Sequence, residues 1–395
     1  MHDWLLSVGG AEKVLRALHE MFPTAPVYVL LHNKKFTRRF LPGAEIRSSF
    51  LQKAYQILHS HWLLMPFLPL AVESLDLSKF ELVISSSAFA KGLILKPQTA
   101  HINYCCSPIR QVWDWSAEYG REPHRLNRGW VMLFQHFLRI WDRHASTRVD
   151  QFIVISENVR RRVKKYYQRE AAVIYPPVDA PVDAVEVYNG VYASRHDRIK
   201  THTPYFLIVS RLYRHKNVHL AVKAFSKLEW PLVVIGDGPE LNRLRRLANR
   251  SADIASHSNA DIASSPRGIA DIASHSNADI VFLGYQPDEV VRQYYADCLA
   301  FVMPQEEDFG LTPIEAMSYG KPVLALKRGG ALEYIKEGIN GEFFEDPTEE
   351  MLADGARRLK ENLASYDPET IKKTAERFSK ERFKNEMANL MSLLF

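Results

Sequence analysis

The stretch EEDFGLTPIEAMSYGKPVLA, Glu306–Ala325, decides how this chain is read. Two carboxylates, Glu307 and Glu315, flank a Phe-Gly step, and a helical pattern starts between them. Thr312-Pro313-Ile314-Glu315 has the form of a capping box. It predicts Thr312 as N-cap, Pro313 at the first helical position and Glu315 reaching back to the cap. Ala300–Met303 upstream and Pro322–Ala325 downstream are apolar runs of strand length. Strand, glycine-bearing loop, helix and strand make one βαβ unit of a parallel sheet. Such sheets bind ligands outside the carboxyl ends of their strands, and a helix N-terminus there offers N–H groups to phosphate. Carboxylates at that place suit a ligand with hydroxyls as well as phosphate, because they accept hydroxyl hydrogen bonds while the amides take the anion. Taken alone, Glu315 reads equally as a cap of its own helix, and Glu307 as a solvated loop acid beside Glu306 and Asp308.

The same alternation runs outward from this unit. Val27–Leu31, Leu82–Ser85, Ile102–Tyr104 and Gln151–Ile155 are strand-like in the first half. Phe206–Val209, Leu232–Ile235 and Val281–Leu283 join the second. Helical patterns such as Gly10–Met21, Val218–Leu228 and Glu240–Ala248 lie between them. The fold class is α/β, with two Rossmann-like domains split near Tyr175-Pro176-Pro177-Val178-Asp179. The expected bounds are 1–175, a linker at 176–204, a second domain at 205–370 and a closing helical segment at 371–395. One segment breaks the pattern. ADIASHSNADI occurs at Ala252–Ile262 and again at Ala270–Ile280. Two copies are too few for a solenoid, and the segment has little to bury, so residues 250–279 read as a duplicated surface loop.

A length of 395 residues with 46% hydrophobic and 25% charged residues fits a soluble two-domain protein. Cys105, Cys106 and Cys298 are odd in number and two are adjacent, which argues against a disulfide framework and for a reducing compartment. No spacing resembles a zinc site, and no leader opens the chain. The longest apolar run, Trp62–Val72, is interrupted by Pro66 and Pro69 and is too short to span a bilayer. The net charge of +5 is uneven. Residues 1–175 carry 24 basic against 14 acidic side chains, and the rest carry 27 against 32. A basic first half suits an anionic partner. Nucleic-acid motifs are missing, which leaves an anionic membrane surface or simply solvated cations.

Further elements surround the opening stretch. Ser210 ends the strand Phe206–Val209, and Arg211 and Lys216 follow it, two cations placed to clamp a diphosphate or to be ordinary surface charge. Gly236-Asp237-Gly238 is a turn feeding a helix, Gly329-Gly330 is another glycine turn, and Gly9-Gly10 opens the first helix.

Together these pieces resemble the retaining GT-B glycosyltransferases of family 4, in a mannosyltransferase-like branch of surface polysaccharide synthesis. The matching residues are Glu307-x7-Glu315 around Phe309-Gly310, Arg211-x4-Lys216, Gly9-Gly10-Ala11-Glu12 and Gly329-Gly330 with Glu333. HDWL, VISSSAFAKG and SPIRQVWD add to the likeness, which covers nearly the whole chain outside the repeat. The resemblance implies two Rossmann-like domains facing a cleft, with the terminal helix crossing back to the first domain. It implies that Arg211 and Lys216 bind the donor diphosphate and that Glu315 contacts the ribose. Glu307 would contact the transferred sugar, and the stretch Phe309, Gly310, Leu311, Thr312 would hold sugar and phosphate. Ser210 and Gly236 fall on the donor side, and Gly9 and Gly10 close on the diphosphate. Cys106 and Arg110 fall on the acceptor side. No metal and no cofactor are implied, because the nucleotide sugar is itself the substrate, with GDP-mannose first and a UDP-sugar second. Retention would follow from front-face attack.

The sequence departs from that family in two places. Tyr104-Cys105-Cys106-Ser107-Pro108 puts Cys106 where many relatives have a histidine, and His101 nearby reads as structural. Met1 directly precedes His2-Asp3-Trp4-Leu5, so the hydrophobic first strand of relatives is expected to be missing and the first sheet compromised. The acceptor is expected to be a saccharide or lipid-linked saccharide. Lys53–Val72, Arg160–Tyr167 and the segment with Trp113, Trp115, Trp130 and Trp141 combine aromatics with cations, as a peripheral protein on the inner membrane face would. The competing expectation is a GT-B-shaped nucleotide-sugar-binding or scaffold protein with impaired catalysis.

Overall fold

The computed structural model describes residues 1–114, 128–179, 204–257 and 280–394. Most of the expected linker, Trp115 and the greater part of the repeat lie outside them. The chain divides into two compact units, Met1–Pro177 with Lys380–Phe395, and Val178–Ser379.

The first unit is built on β1 (His2–Leu5), β2 (Val27–His32), β3 (Ile46–Ser48), β4 (Leu82–Ser86), β5 (Ala100–Cys105), β6 (Gln151–Val154) and β7 (Ala171–Val173). They form one parallel sheet in the order β3-β2-β1-β4-β5-β6-β7. Both faces are covered, as a parallel sheet requires. Along β2, Tyr28 and Leu30 join one apolar cluster while Val27 and Val29 join another, which is the two-residue strand period at work.

The expected loss of the first strand is corrected here. His2–Leu5 is itself an interior strand, pairing His2 with Val29 on one side and with Ser86 on the other. Two of its four residues are polar, which hides it from a hydrophobicity pattern, yet His2 and Asp3 are buried with partners. His2 Nδ1 meets the Ser86 hydroxyl at 2.7 Å, and the Asp3 carboxylate accepts backbone N–H groups from Ala88, Phe89 and Ala90 at 2.7–3.1 Å. The Met1 nitrogen donates to Ile84 O at 2.8 Å. Beside it, a cavity of about 230 Å³ is lined by Leu15, Leu18, Phe22, Val27, Phe80 and Leu82, at the amino ends of β2 and β4.

The terminal helix Lys380–Leu394 belongs to this first unit. Phe383 is fully buried and stands edge-on to Tyr104, ring centroids 5.7 Å apart. Lys380 and Lys384 pair with Glu20 at 3.1 and 3.0 Å, and Arg382 donates to Tyr175 O.

The second unit holds β8 (Phe206–Val209), β9 (Leu232–Ile235), β10 (Ile280–Gly284), β11 (Ala300–Met303), β12 (Val323–Leu326) and β13 (Gly341–Phe344), parallel in the order β10-β9-β8-β11-β12-β13. It extends beyond the expected residue 370. The helix Pro368–Glu376 packs here through Ile371 and Ala375, and buried Phe378 meets Phe309 at 5.5 Å. The helix after β9 runs Leu241–His257, so Ala252–His257 of the first repeat copy is helical rather than loop.

Candidate active site

In the second unit, β8 and β9 deliver two loops that fit only because of glycine. A Cβ on Gly236, φ +138°, would stand 1.8 Å from Ser210 O, and one on Gly238, φ +156°, would stand 2.5 Å from Leu212 O. The loops are stitched by Leu212 N to Asp237 O at 2.8 Å and Glu240 N to Leu212 O at 3.0 Å. Ser210 turns its hydroxyl to the Arg211 carbonyl, and Arg211 is exposed. Lys216 ends a short 3₁₀ turn and is buried.

The loop after β11 meets it. Lys216 Nζ makes an ion pair with Glu307 Oε1, which also accepts from Gln305 Nε2 at 3.0 Å. An isolated buried charge is costly to leave unpaired, and the pair satisfies both groups. Glu307 is thus paired with a lysine that follows a different strand, β8. Sequence reading passed over Gln305. It is buried, orients Glu307, and leaves its Oε1 with no hydrogen-bond partner among the described residues.

The capping box is corrected. Gly310 is the N-cap, at φ +89°, and the helix runs Leu311–Ser318. Only glycine takes that conformation cheaply. A side chain there would also crowd the Tyr334 hydroxyl at 2.9 Å and Met303 Sδ at 3.1 Å. The helix therefore starts before Thr312, and Pro313 sits in a first turn whose N–H groups have no intrahelical use. Glu315 Oε2 accepts from the Tyr295 hydroxyl at 2.9 Å, a partner from the preceding helix Asp288–Asp297 that the sequence did not reveal. Burial, with the Glu315 charge beside it, pushes the Tyr295 phenol well above its ordinary range, so it stays a donor.

Gly329 and Gly330 clamp this loop from behind. A Cβ on Gly329, φ +63°, would stand 2.3 Å from Glu307 O, and one on Gly330 would stand 2.5 Å from Phe309 Cα. Gly330 N donates to Glu307 O at 2.9 Å. Phe309 is buried against Tyr334 and Phe378, so its ring anchors the loop while Leu311 and Thr312 stay half-buried in the first turn. The structure thus brings Ser210, Lys216, Gly236, Glu307 and Gly310 to loops, and Glu315 to a helix, at one end of one sheet.

The other candidates, Gly9, Gly10, Cys106 and Arg110, belong to the first unit. Gly9 caps the helix Gly10–Met21, and a Cβ on it would stand 2.7 Å from Glu12 Oε2. Cys106 follows β5, and burial pushes its thiol far above the usual range, so it is uncharged. Arg110 opens the short helix Arg110–Trp113. His101 lies inside the sheet, hydrogen-bonded through Nε2 to Ser85 Oγ at 2.7 Å, and burial pulls it down to about 4.

Residues 203–362 match the family described as Glycosyl transferases group 1. The chain is 27% identical over 204 residues to the alpha-1,3/1,6-mannosyltransferase ALG2 of Candida glabrata, covering 47% of this chain and 44% of that one. It is 30% identical over 208 residues to the ALG2 of Saccharomyces cerevisiae, covering 47% and 40%. The chain thus spans less than half the length of these two relatives. Among solved structures, Anabaena Alr3699/HepE in complex with UDP superposes with a TM-score of 0.66 at 16% identity, covering 99% of both chains. The fold they share is GT-B.

Proposed function

We propose, from the glycosyl transferases group 1 domain at residues 203–362 and the site within it, that this chain transfers a hexose from a nucleoside-diphosphate sugar to a saccharide or lipid-linked acceptor. The observation that carries this reading is the Lys216–Glu307 pair at the carboxyl ends of β8 and β11, backed by Gln305 and by the helix start at Gly310. Arg211 and Lys216 supply positive charge for a diphosphate, and the first helical turn supplies N–H groups. Cations and dipoles fixed in advance stabilise the charge that develops as the diphosphate leaves. Glu307 is the acceptor for a hydroxyl of the transferred sugar. Glu315, held by Tyr295, is the acceptor for the ribose. Ser210 and Gly236 let the β8 and β9 loops approach the donor. Mannose from GDP-mannose is the first choice, in keeping with the two mannosyltransferase relatives. A UDP-sugar is the second. Transfer proceeds with retention, needs no metal, and uses the leaving phosphate to receive the acceptor proton.

The setting is peripheral on a membrane. No helix among the described residues is long and apolar enough to cross one. Met132, Phe137 and Ile140 are exposed apolar side chains on the helix Arg128–Ala145, which also carries Arg139 and Arg143, and Leu63, Phe67 and Leu70 are exposed in the apolar segment that follows Lys53. Such a mixture suits an interface.

The test is release of nucleoside diphosphate from a panel of GDP- and UDP-sugars, with a crude lipid extract as acceptor. Release from one donor is expected. Release from none by the folded protein, with nucleotide still bound, would replace transfer by mere binding.

A further inference from the structure

Glu12, His2, Ser86 and Ser87 form a connected group at the carboxyl ends of β1 and β4 that the reading above leaves unused. His2 is 1% exposed, and its Nδ1 meets Ser86 Oγ at 2.7 Å and Ser87 Oγ at 2.9 Å. With the ring proton on Nε2, the nitrogen that faces Glu12 Oε1 at 3.6 Å, the Nδ1 lone pair accepts from either hydroxyl, one at a time. The Glu12 carboxylate folds over Gly9, which has no side chain to block it. The Cys106 thiol joins the group, with the Ser87 backbone hydrogen-bonded to its sulfur. Ser86 is buried, whereas Ser87 and the Glu12 carboxylate reach the surface.

Ser87 has a backbone φ of +81°, where glycine is the inexpensive residue. A serine kept in that conformation, with its hydroxyl turned to a buried imidazole, is the strained arrangement found where a side chain is needed. Carboxylate, imidazole and hydroxyl together at one end of the parallel sheet also match the chemistry of a polyhydroxylated ligand. We infer that the Ser87 hydroxyl and the Glu12 carboxylate bind hydroxyls of a saccharide acceptor, with His2 as the buried positioning residue that fixes both. The inference rests on the proposed function for the class of acceptor.

The experiment is saturation-transfer NMR on the full chain with octyl α-mannopyranoside and octyl β-glucopyranoside as probes. Transfer to the sugar-ring protons is expected in the unaltered protein. It falls about tenfold in Ser87→Gly and in Glu12→Gln, the size expected for losing one hydrogen bond to a polar group. Ser87→Gly relieves the backbone, so its loss reports the hydroxyl and not the fold. Ser86→Ala removes the same contact to His2 from a buried position and keeps ring transfer. The inference is overturned if ring protons receive nothing from the unaltered protein, if Ser87→Gly binds as well, or if Ser86→Ala loses as much. Should ring transfer behave as stated while no nucleotide sugar is turned over, the proposed function fails and this site stands.

Discussion

In the first sheet, the Asp3 carboxylate is buried and held by backbone. In the second, the Glu307 carboxylate is only partly buried and is held by side chains. Asp3 is 2% exposed and accepts from three consecutive N–H groups. Glu307 keeps about a fifth of its side-chain surface and is held by Lys216 and Gln305. A carboxylate fixed by backbone organises the loop around it, and its removal leaves several donors unpaired. A carboxylate fixed by a movable lysine can exchange that partner for a ligand. The first arrangement belongs to folding and the second to chemistry. Removing Asp3 and removing Glu307 should therefore separate stability from activity.

The largest effect is expected in the second unit. Glu307→Ala should lower kcat/KM for nucleotide-sugar turnover by roughly 10³, as removal of one fixed electrostatic group does elsewhere. Some stability is lost as well, because Lys216 is left without its partner, but less than the roughly 4 kcal/mol that the rate loses. A drop in stability that matched the drop in rate would erase the distinction. Asp3→Ala should do the reverse and cost roughly 3 kcal/mol of stability, because buried N–H groups lose their acceptor. Chemical denaturation measures that cost, and affinity for nucleoside diphosphate should be unchanged in the protein that remains folded.

His101 sharpens the comparison through pH. Its folded value of about 4 lies below the ordinary 6.5. Above pH 6.5 the ring is neutral in folded and unfolded chains alike, and it contributes no slope. Between 6.5 and 4 the unfolded chain takes a proton that the folded one refuses, so stability falls with pH by up to about 1.4 kcal/mol per unit. Denaturation of His101→Gln across that window should lack this slope. An identical slope in the variant would place the acid sensitivity elsewhere. The smallest effect is expected for Tyr295→Phe, which deprives Glu315 of one hydrogen bond and should raise the donor KM by about tenfold or less. A change in kcat alone would contradict a part in ground-state binding.

The βαβ series was legible because most of its strands are apolar runs. β1 was not, because His2 and Asp3 occupy an interior strand and are satisfied by Ser86, Ser87 and the backbone of Ala88–Ala90, partners more than eighty residues away. The short strands β3, β7 and β13 were not named either, since three or four residues such as Ile46–Ser48 carry no period to read. Within the site, the pair Glu307 and Glu315 stood out through their spacing around Gly310. Their supports did not. The capping pattern at Thr312–Glu315 was a sound local signal that lost to the left-handed backbone of Gly310. Tyr295 and Gln305 matter only through where the fold delivers them.

The most direct test of the central claim is calorimetric titration of the full chain with GDP and with UDP, repeated on Lys216→Met. The account predicts saturable binding of one nucleotide, weakened at least about tenfold by the loss of a charged contact to the diphosphate. Equal affinity in Lys216→Met, or no binding of either nucleotide by the folded protein, would contradict it.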